Sequence, residues 1–380
     1  KTVLKKKAYP GAQVLVAKSG KVIYNKAFGY HTYENTTPVK TDDIYDLASI
    51  TKVAATTLSL MKLQDMGKFD LDAPMKKYFP EIESGSPYAM LTSREMLAHV
   101  AGLKPWIPFY IETVKDKVPN PDIYSKTPEG SKTRQVSMNL YIDTVYSDSM
   151  LYKILQTPLR SNKDYKYSDL GYFFMREIVQ RQSGMRVDEF AATYFYRPLG
   201  MRSTGYLPLE HFDKKRIIPT EYDTYFRNEL VSGTVHDPGA AMQGGVGGHA
   251  GLFSDAEDLA ILMQMLLNGG IYGGEEYLLP ETIAEYVKCQ FCKDELDEKR
   301  RGAGFDKPVI PAGPGPTCKC ISFDSFGHSG FTGTIFWADP VEEIIYVFLS
   351  NRVYTDKKND RLMKYKTREM VHRAIYKAMD

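Results

Sequence analysis

Apolar residues recur every three or four positions in several stretches of the chain, which is the spacing of one buried helix face. One such stretch begins near residue 46 and ends at Gly67, a residue type that commonly stops helices. The same spacing predicts further helices at residues 92–103, 137–155, 171–182, 187–196, 255–268 and 361–379.

Short apolar runs bounded by turn residues predict strands near both ends of the chain. A hairpin is expected at residues 11–30, and two further strands at residues 334–337 and 344–349. Strands at both ends with mostly helices between them predict an α/β fold of the α+β type. We expect one composite domain, with a sheet region at residues 1–75 and 235–380 and a mainly helical region, residues 76–234, inserted into it.

The bulk composition is ordinary for a globular protein: 380 residues, of which 43% are hydrophobic and 25% are charged. A net charge of +2 gives no reason to expect a nucleic-acid partner. No apolar run approaches the length that spans a bilayer. We therefore expect a partner that is a small molecule or a peptide.

The first candidate for chemistry is Ser49, followed three residues later by Lys52. Residues three apart share one face of a helix, so the two side chains can meet. A serine nucleophile needs a base, and a lysine serves only when its surroundings lower its pKa. Ser59 and Lys62 repeat the spacing, but they lie mid-helix, where no free backbone N–H groups remain to stabilise an oxyanion.

A second candidate is the short loop that carries Tyr167 and Asp169, just before the helix that begins near Gly171. A phenol beside a lysine can accept a proton. Tyr146 is also followed by Ser-Asp. It lies inside a predicted helix, however, and its motif is not followed by a Gly-Tyr pair as the Tyr167 motif is, so Tyr167 is preferred.

A third candidate is His328-Ser329-Gly330, which leads through Phe331 into the strand at residues 334–337. Small residues at this point would let a substrate lie along the strand edge through backbone hydrogen bonds. His328 adds a hydrogen-bond donor near neutral pH.

The order Ser-x-x-Lys, Tyr-x-Asp and His-Ser-Gly resembles the three-motif signature of the serine β-lactamase and penicillin-binding-protein superfamily. The chain is most similar to the branch of class C β-lactamases, esterases and D-aminopeptidases. Stretches typical of that branch also stand at residues 9–12, 71–74, 97–103, 198–201 and 250–254. The resemblance implies a β-lactamase-like fold, an antiparallel sheet flanked by helices from both chain ends, and no cofactor. Residues 105–135 fit it least, and residues 105–132 are expected to form an insertion or lid.

The resemblance also implies the catalytic roles. Ser49 would be the nucleophile that forms an acyl-enzyme. Lys52 and Tyr167 would share the general base and acid work. His328 would lie opposite, near Tyr167.

Substrate binding would involve Asp169, Ser329, Gly330 and Phe331. Asp169 would orient the lysine or touch substrate, and the backbone N–H of Phe331, with that of the serine, would form the oxyanion hole. Two positions depart from the family pattern, because Asp169 stands where asparagine is frequent and His328 where lysine is frequent. Both changes weaken affinity for anionic substrates such as β-lactams.

The leading hypothesis is a serine hydrolase of the carboxylesterase, D-Ala-D-Ala carboxypeptidase or aminopeptidase type, rather than an efficient β-lactamase. The alternative is a catalytically weak or inactive binding module for peptidoglycan- or glycan-derived ligands, fused to another catalytic domain. The chain begins at Lys1 with no initiator methionine and no signal sequence, which would fit such a piece. The family resemblance implies a periplasmic or other extracytoplasmic location.

Four cysteines form two close pairs, Cys289 with Cys292 and Cys318 with Cys320. Four thiols could bind zinc as a structural site, form disulfides, or remain free. None of these alternatives places a cysteine in the chemistry, so no catalytic metal is expected.

Overall fold

The computed structural model describes residues 2–292, 300–309 and 315–379 of the chain. The strands within these ranges are β1 (Gly11–Lys18), β2 (Lys21–Gly29), β3 (Tyr45–Asp46), β4 (Val114–Lys115), β5 (Val118–Pro119), β6 (Tyr124–Ser125), β7 (Lys132–Ser137), β8 (Leu140–Asp143), β9 (Glu221–Asp223), β10 (Glu229–Val231), β11 (Phe253–Ser254), β12 (Ile271–Tyr272), β13 (Glu275–Glu276), β14 (Phe326–Ser329), β15 (Ile335–Asp339) and β16 (Ile344–Ser350).

The α-helices within the same ranges are α1 (Thr2–Lys5), α2 (Leu58–Asp65), α3 (Met75–Tyr78), α4 (Ser93–Leu97), α5 (Thr144–Leu155), α6 (Gly171–Ser183), α7 (Val187–Ala191), α8 (Pro238–Met242), α9 (Ala256–Leu267), α10 (Pro280–Val287), α11 (Arg361–Lys364) and α12 (Thr367–Lys377). Short 3₁₀ turns lie at Ala48–Ile50, Ile111–Thr113, Pro208–Glu210 and Lys214–Arg216, and π-helical turns at Lys52–Thr57 and Ala192–Tyr196.

The central sheet brings the two ends of the chain together. Its strand order is β14-β15-β16-β1-β2, and every neighbouring pair is antiparallel. Leu15 in β1 is paired with Asn25 in the first hairpin and with Val347 near the end of the chain. The predicted α/β fold, with an antiparallel sheet built from both ends, is confirmed.

The adjacent strands β1 and β16 are buried on both faces, which explains their nearly continuous apolar sequence. In β16, Ile345, Val347 and Leu349 contact the main core, where α9 packs on the sheet. Alternate residues of β16 point into a second core under α11 and α12, because successive side chains of a strand face opposite sides. Those residues are Ile344, Tyr346 and Phe348.

The predicted helix that follows residue 46 crosses the interior of the protein. It begins as the 3₁₀ turn at Ala48–Ile50, continues through the π-helical turn into α2, and ends before Gly67, which has a φ of 68°. Val53, Ala54 and Leu58 are fully buried. Contacts with α6 and α7 cover the helix, so its position is set from several sides.

The inserted middle region is less helical than the sequence pattern predicts. Besides α3 to α7 it contains the β4–β5 hairpin and a small sheet of order β6-β8-β7. The helix predicted at residues 137–155 is wrong in its first turns, because residues 140–143 form a strand. Asp143 then caps α5 by accepting a hydrogen bond from Val145 N at 2.7 Å. The division of the chain into two regions stays a prediction.

The predicted C-terminal helix is also corrected: α11 and α12 are separate helices. Lys366 between them has a φ of 47°, a left-handed conformation that interrupts a helix. None of the helices that the structure describes is long and apolar enough to cross a membrane.

The cysteines form two disulfides, one between Cys289 and Cys292 and one between Cys318 and Cys320. The predicted alternative of a structural zinc site is therefore wrong, since all four sulfurs are bonded in pairs. In the described ranges, no group of three or more potential ligands could hold a metal ion. Residues 293–299 and 310–314, which stand between the two cysteine pairs in the sequence, lie outside these ranges.

The buried face of β16 predicts a large loss of stability on truncation. Leu349→Ala should lower the free energy of unfolding by about 2–5 kcal/mol, because it leaves a cavity in the main core. The matched control is Leu230→Ala, whose side chain is 40% exposed and should change stability by about 0.5 kcal/mol or less. Urea unfolding measures both, and equal effects would contradict the burial of Leu349 in the main core.

Candidate active site

Ser49 sits at the start of the buried helix, in a tightly held turn. Ala48, the residue before it, has a φ of 47°, which is unusual for a residue with a side chain. The Ala48 N–H donates to Asp46 Oδ1 at 2.8 Å, and Thr332 Oγ1 donates to the carbonyl of Asp46 at 2.8 Å. The turn is therefore fixed both by its own sequence and by a distant segment.

The third motif packs directly against this turn. Thr334 Oγ1 donates to Leu47 O at 3.1 Å, and a Cβ atom on Gly330 would collide with both of these atoms. Only glycine permits so close an approach of the two backbones. The predicted proximity of the Ser49 turn and the His328–Phe331 segment is thus built into the packing.

Lys52 lies in the centre of the candidate site, with no part of its side chain exposed. Its Nζ donates to Ser49 Oγ at 2.9 Å and to His249 O at 3.1 Å. It also forms an ion pair with Asp169 Oδ1 at 2.7 Å. The spacing of three residues therefore brings the serine and lysine together as predicted, and Asp169 contacts the lysine.

The surroundings of Lys52 keep it charged. Burial lowers the pKa of Lys52, but the Asp169 carboxylate and the Tyr167 phenol raise it further, so the net pKa lies above the ordinary value. In the resting site the lysine is therefore an ammonium that donates to Ser49 Oγ. To act as a base without help from another group, Lys52 would need a lowered pKa instead.

The ring of Tyr167 lies close to the lysine. The Lys52 Nζ atom is 5.2 Å from the centroid of its ring, and its phenol oxygen is buried without a hydrogen-bond partner among the described residues. His99 packs on the same ring with centroids 4.4 Å apart, and its Nδ1 accepts from Ser168 N at 3.2 Å. His99, to which the sequence analysis gave no role, thus holds the loop that carries Tyr167.

His328 is buried in the wall near Tyr167, with ring centroids 6.1 Å apart. Burial, followed by the charges of Arg301 and Lys52, holds the pKa of His328 well below its usual value. The Nδ1 atom lies 2.8 Å from Ser329 O, a carbonyl, so the neutral ring carries its proton there. Its Nε2 is then an acceptor, and it has no partner among the described residues.

Arg301 is a site residue that the sequence analysis missed. Its guanidinium carbon lies 5.7 Å from the centroid of the Tyr167 ring, and the side chain is buried and paired with Asp306. It approaches from a segment with no regular pattern, so no periodicity or motif could have indicated it. With Lys52 it places a second positive charge beside the phenol of Tyr167.

Phe331 follows the third motif at the mouth of the cleft, and its side chain is 48% exposed. Its ring stacks on His236 at 5.6 Å and lies 4.5 Å from the guanidinium carbon of Arg352. Ser329 ends β14 at the edge of the sheet and is partly buried. The oxyanion role of the backbone N–H groups of Ser49 and Phe331 stays a prediction.

The two alternative motif positions lie elsewhere. Ser59 Oγ donates to Ala55 O within its own helix, and Lys62 Nζ donates to Tyr277 O, so this pair does not meet. Tyr146 is in α5, where its hydroxyl donates to Phe109 O at 3.1 Å. The preference for Ser49 and Tyr167 agrees with this geometry.

Comparison with known proteins identifies one family, and the matches cover most of the chain. The family model named Beta-lactamase matches residues 1–366. A protein of Salmonella paratyphi A named "Putative D-alanyl-D-alanine carboxypeptidase" is 32% identical, over 93% of this chain and 81% of its own length.

Solved structures share the fold at lower identity. A penicillin-binding protein homologue from Pyrococcus abyssi, which is octameric, has a TM-score of 0.68 at 21% identity and covers 97% of this chain and 76% of its own. EstCE1, a hydrolase with promiscuous acyltransferase activity, has a TM-score of 0.67 at 18% identity and covers 97% of this chain and 98% of its own. A class C β-lactamase from Rhodobacter sphaeroides has a TM-score of 0.64 at 17% identity and covers 96% of this chain and 95% of its own.

The ion pair at Lys52 predicts a change in pH dependence. Asp169→Asn removes the carboxylate that contributes most to raising the pKa of Lys52, so that pKa should fall. In this variant the free amine becomes able to accept the Ser49 proton itself, so we expect kcat/KM on a neutral ester to rise at lower pH than in the wild type. Asp164→Asn, an exposed position in the same loop, is the control. An unchanged profile in Asp169→Asn would contradict the charge assigned to Lys52.

Arg301 predicts a loss of turnover that depends on charge. A desolvated cation–π contact contributes about 2 kcal/mol, so Arg301→Gln should lower kcat by about tenfold or more. Arg301→Lys keeps the charge and should recover part of the rate. Arg300→Gln is the neighbouring control, since the Arg300 guanidinium stacks on Phe323 instead. Equal rates for the Lys and Gln variants would argue for a purely structural role.

Proposed function

Because the chain belongs to the β-lactamase family, we propose that it is a serine hydrolase that cleaves an ester or amide bond through an acyl-enzyme on Ser49. The observation that carries this proposal is the 2.9 Å contact between Oγ of the partly exposed Ser49 and Nζ of the fully buried Lys52. A serine becomes a nucleophile only where a proton acceptor can be reached, and this contact opens such a path.

Lys52 relays the proton in this proposal. As Ser49 Oγ attacks the carbonyl carbon, its proton moves to Lys52 Nζ, and the ammonium passes one of its protons to Tyr167 in the phenolate form. The lysine keeps its charge throughout, which agrees with its raised pKa. Lys52 and Arg301 both stabilise negative charge on the phenol oxygen before the transfer.

The remaining steps return every proton. Tyr167 protonates the leaving alcohol or amine as the bond to the acyl carbon breaks. Water then attacks the acyl-enzyme and gives a proton to Tyr167. As the acid departs, this proton returns from Tyr167 through Lys52 to Ser49 Oγ. The backbone N–H groups of Ser49 and Phe331 would hold the oxyanion, each contributing about 3–4 kcal/mol to the transition state.

We propose an esterase or a peptidase, including the D-Ala-D-Ala carboxypeptidase type, rather than an efficient β-lactamase. The name of the relative that is 32% identical supports a peptide substrate. The neutral His328 offers no charge to a carboxylate, and Asp169 adds a negative one, so anionic β-lactams would bind weakly.

A catalytically weak binding module is the second candidate, and the observation that favours it is the charge of Lys52, which opposes base catalysis. In that case the chain would act within a larger fused protein. An extracytoplasmic location is part of both proposals, and the two disulfides support it because such bonds persist in oxidising compartments.

Covalent labelling tests the nucleophile. Intact-protein mass spectrometry after exposure to a fluorophosphonate should give one adduct on the wild type and none on Ser49→Ala. Ser59→Ala is the matched control, because it removes a buried serine of the same helix that contacts neither the lysine nor the cleft, and it should label normally.

A parallel exposure to a penicillin separates the substrate types. An adduct with the fluorophosphonate but little with the penicillin is expected for an esterase or peptidase. A folded wild type that accepts neither probe would reject the hydrolase and leave the binding module as the better proposal.

A further inference from the structure

A small cavity is lined by two residues that contact Lys52, the neighbour of the candidate nucleophile. It has a volume of about 110 Å³, and its lining includes Asp169 and His249. Both residues contact Lys52, through Asp169 Oδ1 and through the carbonyl of His249, and Lys52 contacts Ser49. A substrate on Ser49 would therefore have the cavity within reach, and the chemistry of its lining bears on substrate choice.

Two carboxylates line this cavity, Asp169 and Asp237, and about a third of each side chain is exposed. Asp169 Oδ1 forms the ion pair with Lys52 Nζ. Asp237 Oδ1 accepts a hydrogen bond from Ala240 N and is hydrogen-bonded to His249 Nε2. Within the described residues, the second oxygen of each carboxylate makes no hydrogen bond. No lysine or arginine is among the described lining residues, so the Asp237 charge has no permanent cationic partner there.

Asp237 remains ionised despite its position. Burial raises its pKa, but the contact with His249 and the hydrogen bond from Ala240 N lower it further, so the net pKa lies below the ordinary value. The cavity thus keeps a negative charge across the working pH range.

Aromatic residues form another part of the lining. Trp106, which is 56% exposed, lines the cavity with Phe109 and Tyr110. The segment is held in place, since Asp169 N donates to Pro105 O at 2.9 Å and the Phe109 ring packs on Phe173 at 5.7 Å. Aromatic faces attract cations, and tryptophan does so most strongly.

His249 provides an independent indication of the ligand. It is 3% exposed, lines the cavity, and stacks on Phe173 with ring centroids 4.9 Å apart. Its Nε2 lies 2.8 Å from Asp237 Oδ1, and its Nδ1 has no hydrogen-bond partner among the described residues. Unused acceptors and aromatic faces together fit a ligand that brings N–H donors and positive charge.

We propose that this cavity is a subsite for a primary ammonium group on the acyl portion of the substrate, held by Asp237 and Asp169 against Trp106. The proposal rests on the proposed acyl-enzyme function. Tyr167, the proposed proton donor to the leaving group, is not among the lining residues of the cavity, so we assign the cavity to the part of the substrate that stays on Ser49. The preferred substrates are then esters or amides of amino-bearing acids or peptides.

Matched p-nitrophenyl esters test this subsite. The ester of 6-aminohexanoic acid carries an ammonium, the heptanoate ester has nearly the same length without charge, and the adipate monoester is anionic. We expect kcat/KM to favour the cationic over the neutral ester by about tenfold, with the anionic ester poorest. A cationic-to-neutral ratio at or below one in the wild type would overturn the proposal.

Two variants locate the effect. Asp237→Asn keeps the oxygen that caps α8 and removes the charge, so the ratio should fall towards one. Trp106→Leu keeps an apolar side chain at an exposed position and should lower the ratio by about threefold. Asp148→Asn, whose side chain is 68% exposed in α5, is the control and should keep the wild-type ratio. A ratio that survives in both cavity variants would contradict the subsite.

The two proposals can fail separately. If Ser49 is labelled by fluorophosphonate and the neutral ester is hydrolysed, a missing cationic preference rejects only the subsite. If no labelling occurs, calorimetry on Ser49→Ala compares binding of 6-aminohexanamide and heptanamide. Tighter binding of the cationic amide would support the subsite without turnover, and equal or weaker binding would reject it.

Discussion

The burial of one lysine charge governs the arrangement of the cleft. Lys52 has no exposed side-chain surface, and removing its ionic partner would cost about 3–5 kcal/mol. Its ammonium is satisfied by Asp169 Oδ1, Ser49 Oγ and the carbonyl of His249. These acceptors belong to three segments far apart in the sequence: the buried helix, the loop before α6 and the glycine-rich segment before β11. Satisfying one charge therefore fixes the position of the nucleophile, the Tyr167 loop and the wall of the cavity together.

The same interaction limits the chemistry. The carboxylate of Asp169 that stabilises the ammonium also raises the pKa of Lys52, so a free amine is scarce at neutral pH. Base catalysis then depends on a relay to Tyr167, whose ring lies between His99, Arg301 and the lysine. The two sides of the cleft consequently carry opposite charges: positive around Tyr167 and negative towards the cavity. This division is the physical basis for expecting substrates unlike the anionic β-lactams.

The sheet serves the site as well as the core. Strand β16 from the end of the chain pairs with β1, and the segment between β14 and β15 reaches the turn before Ser49 through Gly330, Thr332 and Thr334. The nucleophile is held by backbone contacts that form only when both ends of the chain have come together. An incompletely folded chain would therefore have the motifs but not their geometry.

The sequence by itself determined the features that depend on local pattern. Helical spacing located the Ser49 helix and α9, a short apolar run located β16, and a separation of three residues was enough to bring Ser49 and Lys52 together. It did not determine the strands between residues 114 and 143, because segments of two to six residues carry too little periodicity and are stabilised by their neighbours. Only the tertiary structure decided the protonation of Lys52, the neutral state of His328 and the presence of Arg301 and Asp237 beside the cleft. Each of these depends on distances between charges from remote segments, and the distances do not exist until the chain has folded.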